Sequence, residues 1–270
     1  MNQTRITQLF ERLRAENRPG LVAYVTAGDP APEQTAGLVR ALEHGGADLI
    51  ELGVPFSDPI GDGPVIQRGA DRALRAGTNV ARVLGIAREI RRDSQVPLLL
   101  FSYLNPLLRY GFPKLAKDAV EAGIDGVLLI DLSIEEAETH VPVLRTAGLD
   151  TVFLAAPTST AGRRELVAKY SSGFIYLVSR TGVTGERAAL SDSVQPLLES
   201  MRAVTDLPLA VGFGISTPEQ AATVGRTADA VVIGSAFVRF IEQHAGNPDL
   251  PAELTAFTKP IAEAIRSSKL

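Results

Sequence analysis

Short apolar runs recur along the chain, and each gives way to a stretch whose apolar residues have helical spacing. That alternation limits the possible folds more than any other feature. The runs are Leu21–Val25, Asp48–Leu52, Pro97–Phe101, Gly126–Ile130, Thr151–Leu154, Phe174–Val178, Pro208–Val211 and Ala230–Ile233. Helical periods fall at Glu33–His44, Val80–Arg91, Lys114–Ala122, Ile134–Ala147, Arg163–Lys169, Val194–Val204 and Pro218–Val224. Strands apolar on both faces and separated by helices specify a parallel sheet with both faces covered. Eight such runs in 270 residues fit a closed (β/α)8, or TIM, barrel, with residues 1–270 forming one domain. An open doubly wound sheet is the alternative. Its usual mark is a glycine-rich dinucleotide turn after the first strand, whereas this chain has Thr26-Ala-Gly-Asp-Pro there. Three helical patterns lie outside the repeat: an amphipathic N-terminal stretch with Ile6, Leu9, Phe10 and Leu13, then Pro64–Leu74 and Leu254–Ile265. The first is placed to cover the barrel bottom, and surface packing accounts for all three.

Composition removes several function classes. There is no cysteine, which excludes disulfides and thiolate metal sites. A net charge of −4 gives no electrostatic footprint for nucleic acid or an acidic membrane. The longest apolar runs fall far short of the ~20 residues needed to span a bilayer. The N-terminal stretch interleaves Arg5, Glu11, Arg12 and Arg14 with its apolar residues, unlike a signal peptide. A soluble, cytoplasmic protein is expected.

In barrels of this kind the chemistry sits at the C-terminal ends of the strands. The second run carries Glu51, a carboxylate costly to bury without a purpose. Eleven positions on, Asp62 lies in a Gly/Pro-punctuated loop able to fold back over it. Two acids at one mouth can divide acid and base work. After the last three runs come Ser179–Gly185, Gly212-Phe-Gly-Ile-Ser216 and Gly234-Ser-Ala236. Glycines there let backbone N–H groups approach an anion, and a helix starting at Gly234 or Ser235 aims its first donors at it. The five lysines (Lys114, Lys117, Lys169, Lys259, Lys269) fall in helices or the tail, away from any mouth, so a Schiff-base mechanism is not expected. The three histidines, His44, His140 and His244, fall on helices or near the chain end, which argues against a histidine metal site. Acid–base chemistry on a phosphorylated small molecule, without a cofactor, is what remains.

Glu51-Leu-Gly-Val-Pro-Phe-Ser-Asp-Pro, Asp62-Gly-Pro, Ser179-Arg-Thr-Gly-Val-Thr-Gly and Gly212-Phe-Gly-Ile together resemble the tryptophan synthase α family, in order and with matching spacing over nearly the whole chain. The resemblance implies a (β/α)8 lyase that cleaves indole-3-glycerol phosphate to indole and glyceraldehyde 3-phosphate. It also implies a β-subunit partner in an α2β2 heterotetramer, with pyridoxal phosphate on β only. Residue by residue, it implies Glu51 as the acid–base group, Asp62 as acceptor of the indole N–H and Tyr176 beside the substrate. Tyr24 falls where relatives often carry Phe near the indole, and Gly61 where Ala is frequent. Thr184, Gly185, Phe213, Gly214, Gly234 and Ser235 would line the phosphate site. The loops 54–63 and 180–190, rich in small polar residues, would close over the mouth and face the β subunit.

Other readings of the same residues remain open in the sequence. Asp62, before Gly63-Pro64, has the position of a helix N-cap. Glu51 could pair with Arg180 or another basic residue in a structural ion pair. Tyr176 lies inside a strand run and could be core. Asp131 suits a bond to a neighbouring loop backbone, while Tyr103 and Asn105 suit loop support. Another phosphate-binding barrel enzyme, or a non-catalytic activator of a β subunit, are the competing functions.

Overall fold

A computed structural model describes residues 3–178, 194–212 and 214–269. Its nine strands are β1 (Gly20–Thr26), β2 (Leu49–Gly53), β3 (Leu98–Ser102), β4 (Gly126–Leu129), β5 (Asp150–Val152), β6 (Leu154–Ala155), β7 (Ile175–Val178), β8 (Leu209–Gly212) and β9 (Ala230–Ile233). All pair in parallel, in the order β5-β4-β3-β2-β1-β9-β8-β7-β6. The two ends of that order, β5 and β6, are one stretch of chain interrupted only at Phe153. The Tyr176 N–H still donates to the Phe153 carbonyl across the interruption (3.1 Å). The sheet is therefore an eight-position barrel that closes through a broken fifth strand, and the open-sheet alternative is ruled out.

The helices are α1 (Arg5–Ala15), α2 (Pro32–Gly45), α3 (Pro64–Arg75), α4 (Val80–Ile90), α5 (Leu104–Tyr110) and α6 (Phe112–Ala122), followed by α7 (Ala137–Thr146), α8 (Ala161–Tyr170), α9 (Val194–Arg202), α10 (Pro218–Gly225), α11 (Ser235–Gln243) and α12 (Leu250–Arg266). No helix among the described residues is long and apolar enough to cross a membrane. The expected helix Ile134–Ala147 opens with a 3-10 turn at Ile134–Glu136 before becoming α7.

Strand alternation sorts the core into two shells. Leu21, Ala23 and Val25 of β1 point outward into a continuous apolar layer against the helices. Val22 and Tyr24 point into the lumen, with Leu49, Leu99, Phe101, Leu128 and Tyr176. Helix α1 plugs the bottom of that lumen with Ile6, Leu9, Phe10 and Leu13, and Phe10 lies 5.4 Å from the Phe174 ring. The expected cover over the barrel bottom is there. The surface role expected for Pro64–Leu74 is corrected: α3 buries Val65 and Ile66 in the lumenal shell at the opposite end.

The bottom rim carries a repeated clamp. Asp48, Asp125 and Asp229 each stand just before a strand. Each donates its own N–H to the carbonyl of Leu21, Leu98 or Leu209 on the neighbouring strand (2.8, 2.9 and 2.9 Å). Each carboxylate then accepts the N–H of that same leucine (3.0, 2.9 and 2.8 Å). An arginine completes every clamp: Arg18 on Asp48, Arg91 and Arg5 on Asp125, Arg202 on Asp229.

Candidate active site

Glu51 sits in the middle of β2, in register with Tyr24 of β1 and Leu99 of β3. Alternation along Leu49–Gly53 turns Leu49 and Glu51 into the lumen, and Glu51 is only 1 % exposed. It makes no ion pair among the described residues, and its Oε1 has no hydrogen-bond partner. Burial without compensation favours the neutral acid and pushes the carboxyl up to about 8.

The loop after β2 returns over the mouth and brings Asp62 to the same cavity. The Val54 N–H pairs with the Phe101 carbonyl (2.8 Å), and the Asp62 N–H closes a turn onto Pro59 (3.0 Å). Asp62 does not cap α3: the N-cap is Gly63, and no side chain caps it. The Asp62 carbonyl instead accepts the Gln67 amide (2.7 Å), which ties its backbone to α3. Asp62 Oδ2 accepts the Tyr103 hydroxyl (3.1 Å), while Tyr103 in turn accepts the Gly61 N–H (2.9 Å). Oδ1 has no partner and is buried. Burial raises this carboxyl to about 6, against the lowering effect of the Tyr103 hydrogen bond.

Both acids line one cavity, which opens to solvent at the barrel mouth. Its walls include Tyr24, Phe101, Ile130, Leu154, Tyr176 and Val232, a largely apolar lining interrupted by the two acids. Tyr24 meets Phe101 edge-on (5.3 Å), and its hydroxyl lies 3.4 Å from that of Thr26. Gly214, Gly234 and Ser235 form the far wall. Gly214 has φ +81°, a conformation that favours glycine. Gly234 is the N-cap of α11 with no side-chain cap, so the first N–H groups of that helix remain available to an anion at the cavity edge.

Of the residues singled out in the sequence, Glu51, Asp62, Tyr176, Tyr24, Gly214, Gly234 and Ser235 meet at this one cavity. Thr184, Gly185, Phe213 and the possible Glu51 partner Arg180 lie outside the described residues, as does the loop 180–190. Asp131 accepts the Leu104 N–H (2.7 Å), the loop role expected of it. Tyr103 supports the loop as expected and also contacts Asp62, which the sequence reading did not include. The cavity-lining Ile66, Phe101 and Val232 were likewise not singled out, although each sits at an inward position of a recognised element. Among the described residues, no group of three or more His, Cys, Asp or Glu is placed to hold a metal ion.

A family model described as tryptophan synthase alpha chain matches residues 10–266. A tryptophan synthase alpha chain of Solibacter usitatus is 65% identical over 258 residues, 96% of this chain and 97% of the relative. One of Geotalea uraniireducens is 46% identical, with 98% of each chain covered. Among solved structures, tryptophan synthase subunit alpha of Legionella pneumophila superposes with a TM-score of 0.89 at 37% identity, covering 98% of this chain and 99% of that one. A chain of Mycobacterium tuberculosis tryptophan synthase superposes at 0.90 and 35% identity, with the same coverage.

Proposed function

The chain belongs to the tryptophan synthase alpha chain family, and we propose that it cleaves indole-3-glycerol phosphate to indole and glyceraldehyde 3-phosphate with Glu51 as proton donor and acceptor. One observation carries this reading: two buried carboxylates, each with an unpartnered oxygen, line an apolar slot that ends at an open helix N-terminus. The slot suits an indole, and the N-terminus of α11 suits the phosphate.

The chemistry is a retro-aldol cleavage. Glu51, neutral below about pH 8, gives its proton to indole C3. The bond between C3 and the adjacent glycerol carbon then breaks, its electron pair returning to the positively charged ring system. The hydroxyl on that carbon loses its proton to the Glu51 carboxylate as the aldehyde forms, which restores the acid. Asp62, ionised above about pH 6, accepts the ring N–H and stabilises the positive charge that grows there. Tyr176 and Tyr24 flank the ring. The indole is its own electron sink, so no step calls on a cofactor. Thr184, Gly185 and Phe213 are assigned to the phosphate with Gly214, Gly234 and Ser235.

The loop after β2 exposes Ile60 to 80 %, which supports a partner above the mouth. We assign that partner as a β subunit, in a cytoplasmic α2β2 assembly. The deciding experiment incubates the purified chain with indole-3-glycerol phosphate and measures indole, with and without β subunit. Indole formation that rises with β is expected, and no indole in either case removes the reading. Glu51→Gln should lose about 10²–10⁴ in turnover while still binding glycerol phosphate. Near-normal turnover by that variant takes Glu51 out of its role.

A further inference from the structure

Helices α3 and α11, which contribute Ile66 and Ser235 to the cavity wall, are tied to each other by ion pairs further along. Arg68 and Arg72, one turn apart on α3, both reach Glu242 on the last turn of α11. Arg68 grips it with Nε on Oε1 and Nη2 on Oε2 (both 2.7 Å), and Arg72 adds Nη1 on Oε1 (2.6 Å). Arg72 also holds Asp29, in the loop after β1, through Nε on Oδ1 (2.7 Å) and Nη2 on Oδ2 (2.9 Å). Asp29 is 2 % exposed, so this ion pair is fixed to the barrel wall and not draped over the surface. Between the charged pairs the helices nearly touch. A Cβ on Gly69 of α3 would stand 3.1 Å from Val238 Cγ1 of α11 and 2.9 Å from Asp29 Oδ2.

The near ends of the same helices carry the two halves of the site. Asp62 is bound to α3 through its carbonyl and Gln67, and Gly234 and Ser235 begin α11. Both acids keep an unpartnered buried oxygen and line the cavity that this helix start also lines. Resting on the lyase reading above, we propose that Arg72 and Glu242 are positioning residues: they yoke α3 to α11, so that a phosphate seated at the N-terminus of α11 fixes Asp62 at its distance from the indole nitrogen. Binding energy from the remote end of the substrate is thereby used to orient a group at the reacting end. Neither residue touches substrate.

Indole glycerol, which lacks the phosphate, separates binding from orientation. The full chain with its β subunit is assayed for indole release from this truncated substrate, without and with saturating inorganic phosphate. In the parent, the dianion should raise release at least about tenfold. In Glu242→Gln it should raise release less than about twofold. Inorganic phosphate should bind the variant, by calorimetry, within about threefold of the parent, since α11 keeps its own N-terminus. Arg72 holds Asp29 through Nε and Nη2 and meets Glu242 only through Nη1, so this variant keeps Asp29 paired. Arg72→Lys, which preserves the charge but not the two-pronged grip, should show the same loss of activation.

A structural role alone lowers release with and without phosphate in parallel and keeps the activation ratio; that result overturns the proposal. So does a parent with no activation by phosphate, or a variant whose loss is fully explained by weaker phosphate binding. Failure of the underlying reading looks different: the parent then yields no indole from the phosphorylated substrate itself.

Discussion

Glu51 and Asp62 have the same functional group in one cavity, yet their surroundings set them apart. Glu51 has nothing but burial acting on it and rises to about 8. Asp62 accepts the Tyr103 hydroxyl and stops at about 6. The proposed chemistry needs Glu51 protonated and Asp62 ionised. The rate, kcat/KM, should therefore climb through about pH 6 and fall through about pH 8, a bell measurable by indole release. Tyr103→Phe removes the hydrogen bond that lowers Asp62, so the acid limb should move up. It also frees Gly61, and kcat/KM should drop about tenfold, the worth of roughly 1.4 kcal/mol. An unchanged acid limb would detach Tyr103 from Asp62. Stability gives a second readout of Glu51. Its folded pKa lies above the 4.5 of the free group, so between about pH 4.5 and pH 8 the native state holds the extra proton. Stability is thus full at the acid side and is lost as pH rises through 8. Glu51→Gln removes that loss, and thermal melts should show it more stable than the parent at pH 9 and closer to it at pH 5. The sequence exposed both acids through their position. It left Asp62 divided between cap and acceptor, because only the folded loop shows the side chain turned toward Tyr103 and away from the N–H groups of α3.

Every strand of the barrel was legible as an apolar run, for parallel strands buried on both faces leave little ambiguity. The ends were less so: β2 runs to Gly53, which puts Glu51 mid-strand instead of near its end. The run Thr151–Leu154 falls in two strands parted at Phe153, and no local signal in the sequence marks that break. Helix α5 escaped notice because it has seven residues, contains Pro106 and has no side-chain cap. Gly53 shows how an element end shapes the site. A Cβ there would stand 2.3 Å from the Tyr24 hydroxyl and 2.6 Å from its ring carbon Cζ. The strand can bring Tyr24 into the cavity wall only because position 53 has no side chain. Gly53→Ala should cost about 1–3 kcal/mol in chemical unfolding, as overpacking does. It should also raise KM for the indole substrate by tilting the ring. Gly53→Ala combined with Tyr24→Phe, which removes the nearest atom, should recover part of both effects. A double variant no better than the single one would place the strain elsewhere.

At the scale of the molecule, the barrel separates what it does from what holds it together. The cavity, Asp62 and the start of α11 lie toward the C-terminal ends of the strands, and Glu51 points into that cavity from the middle of β2. The aspartate clamps and α1 lie at the other end. The clamp repeat was present in the sequence as an apolar residue, Asp, any residue and then a branched apolar residue, at Ala47–Ile50, Ile124–Val127 and Ala228–Val231. It passed as ordinary strand starts because single acids there look like solvated loop residues. Asp125 is the heaviest of the three, since it serves the Leu98 N–H, Arg91 and Arg5 together. Arg91 is itself largely buried, and burial brings its guanidinium down to about 10 despite the partner charge. Asp125→Ala strands that cation and an unpaired strand N–H. The loss of a buried ion-pair partner predicts about 3–5 kcal/mol of destabilisation, or a Tm drop of roughly 6–20 °C at ~2–4 °C per kcal/mol. Assayed well below that lowered Tm, kcat should stay within about twofold of the parent, because stabilising features at the bottom of a barrel do not touch the groups at its mouth. A variant that stays folded, by circular dichroism, yet loses turnover tenfold would show that the two ends are mechanically coupled through the strands, and the division of labour between the faces would have to be withdrawn.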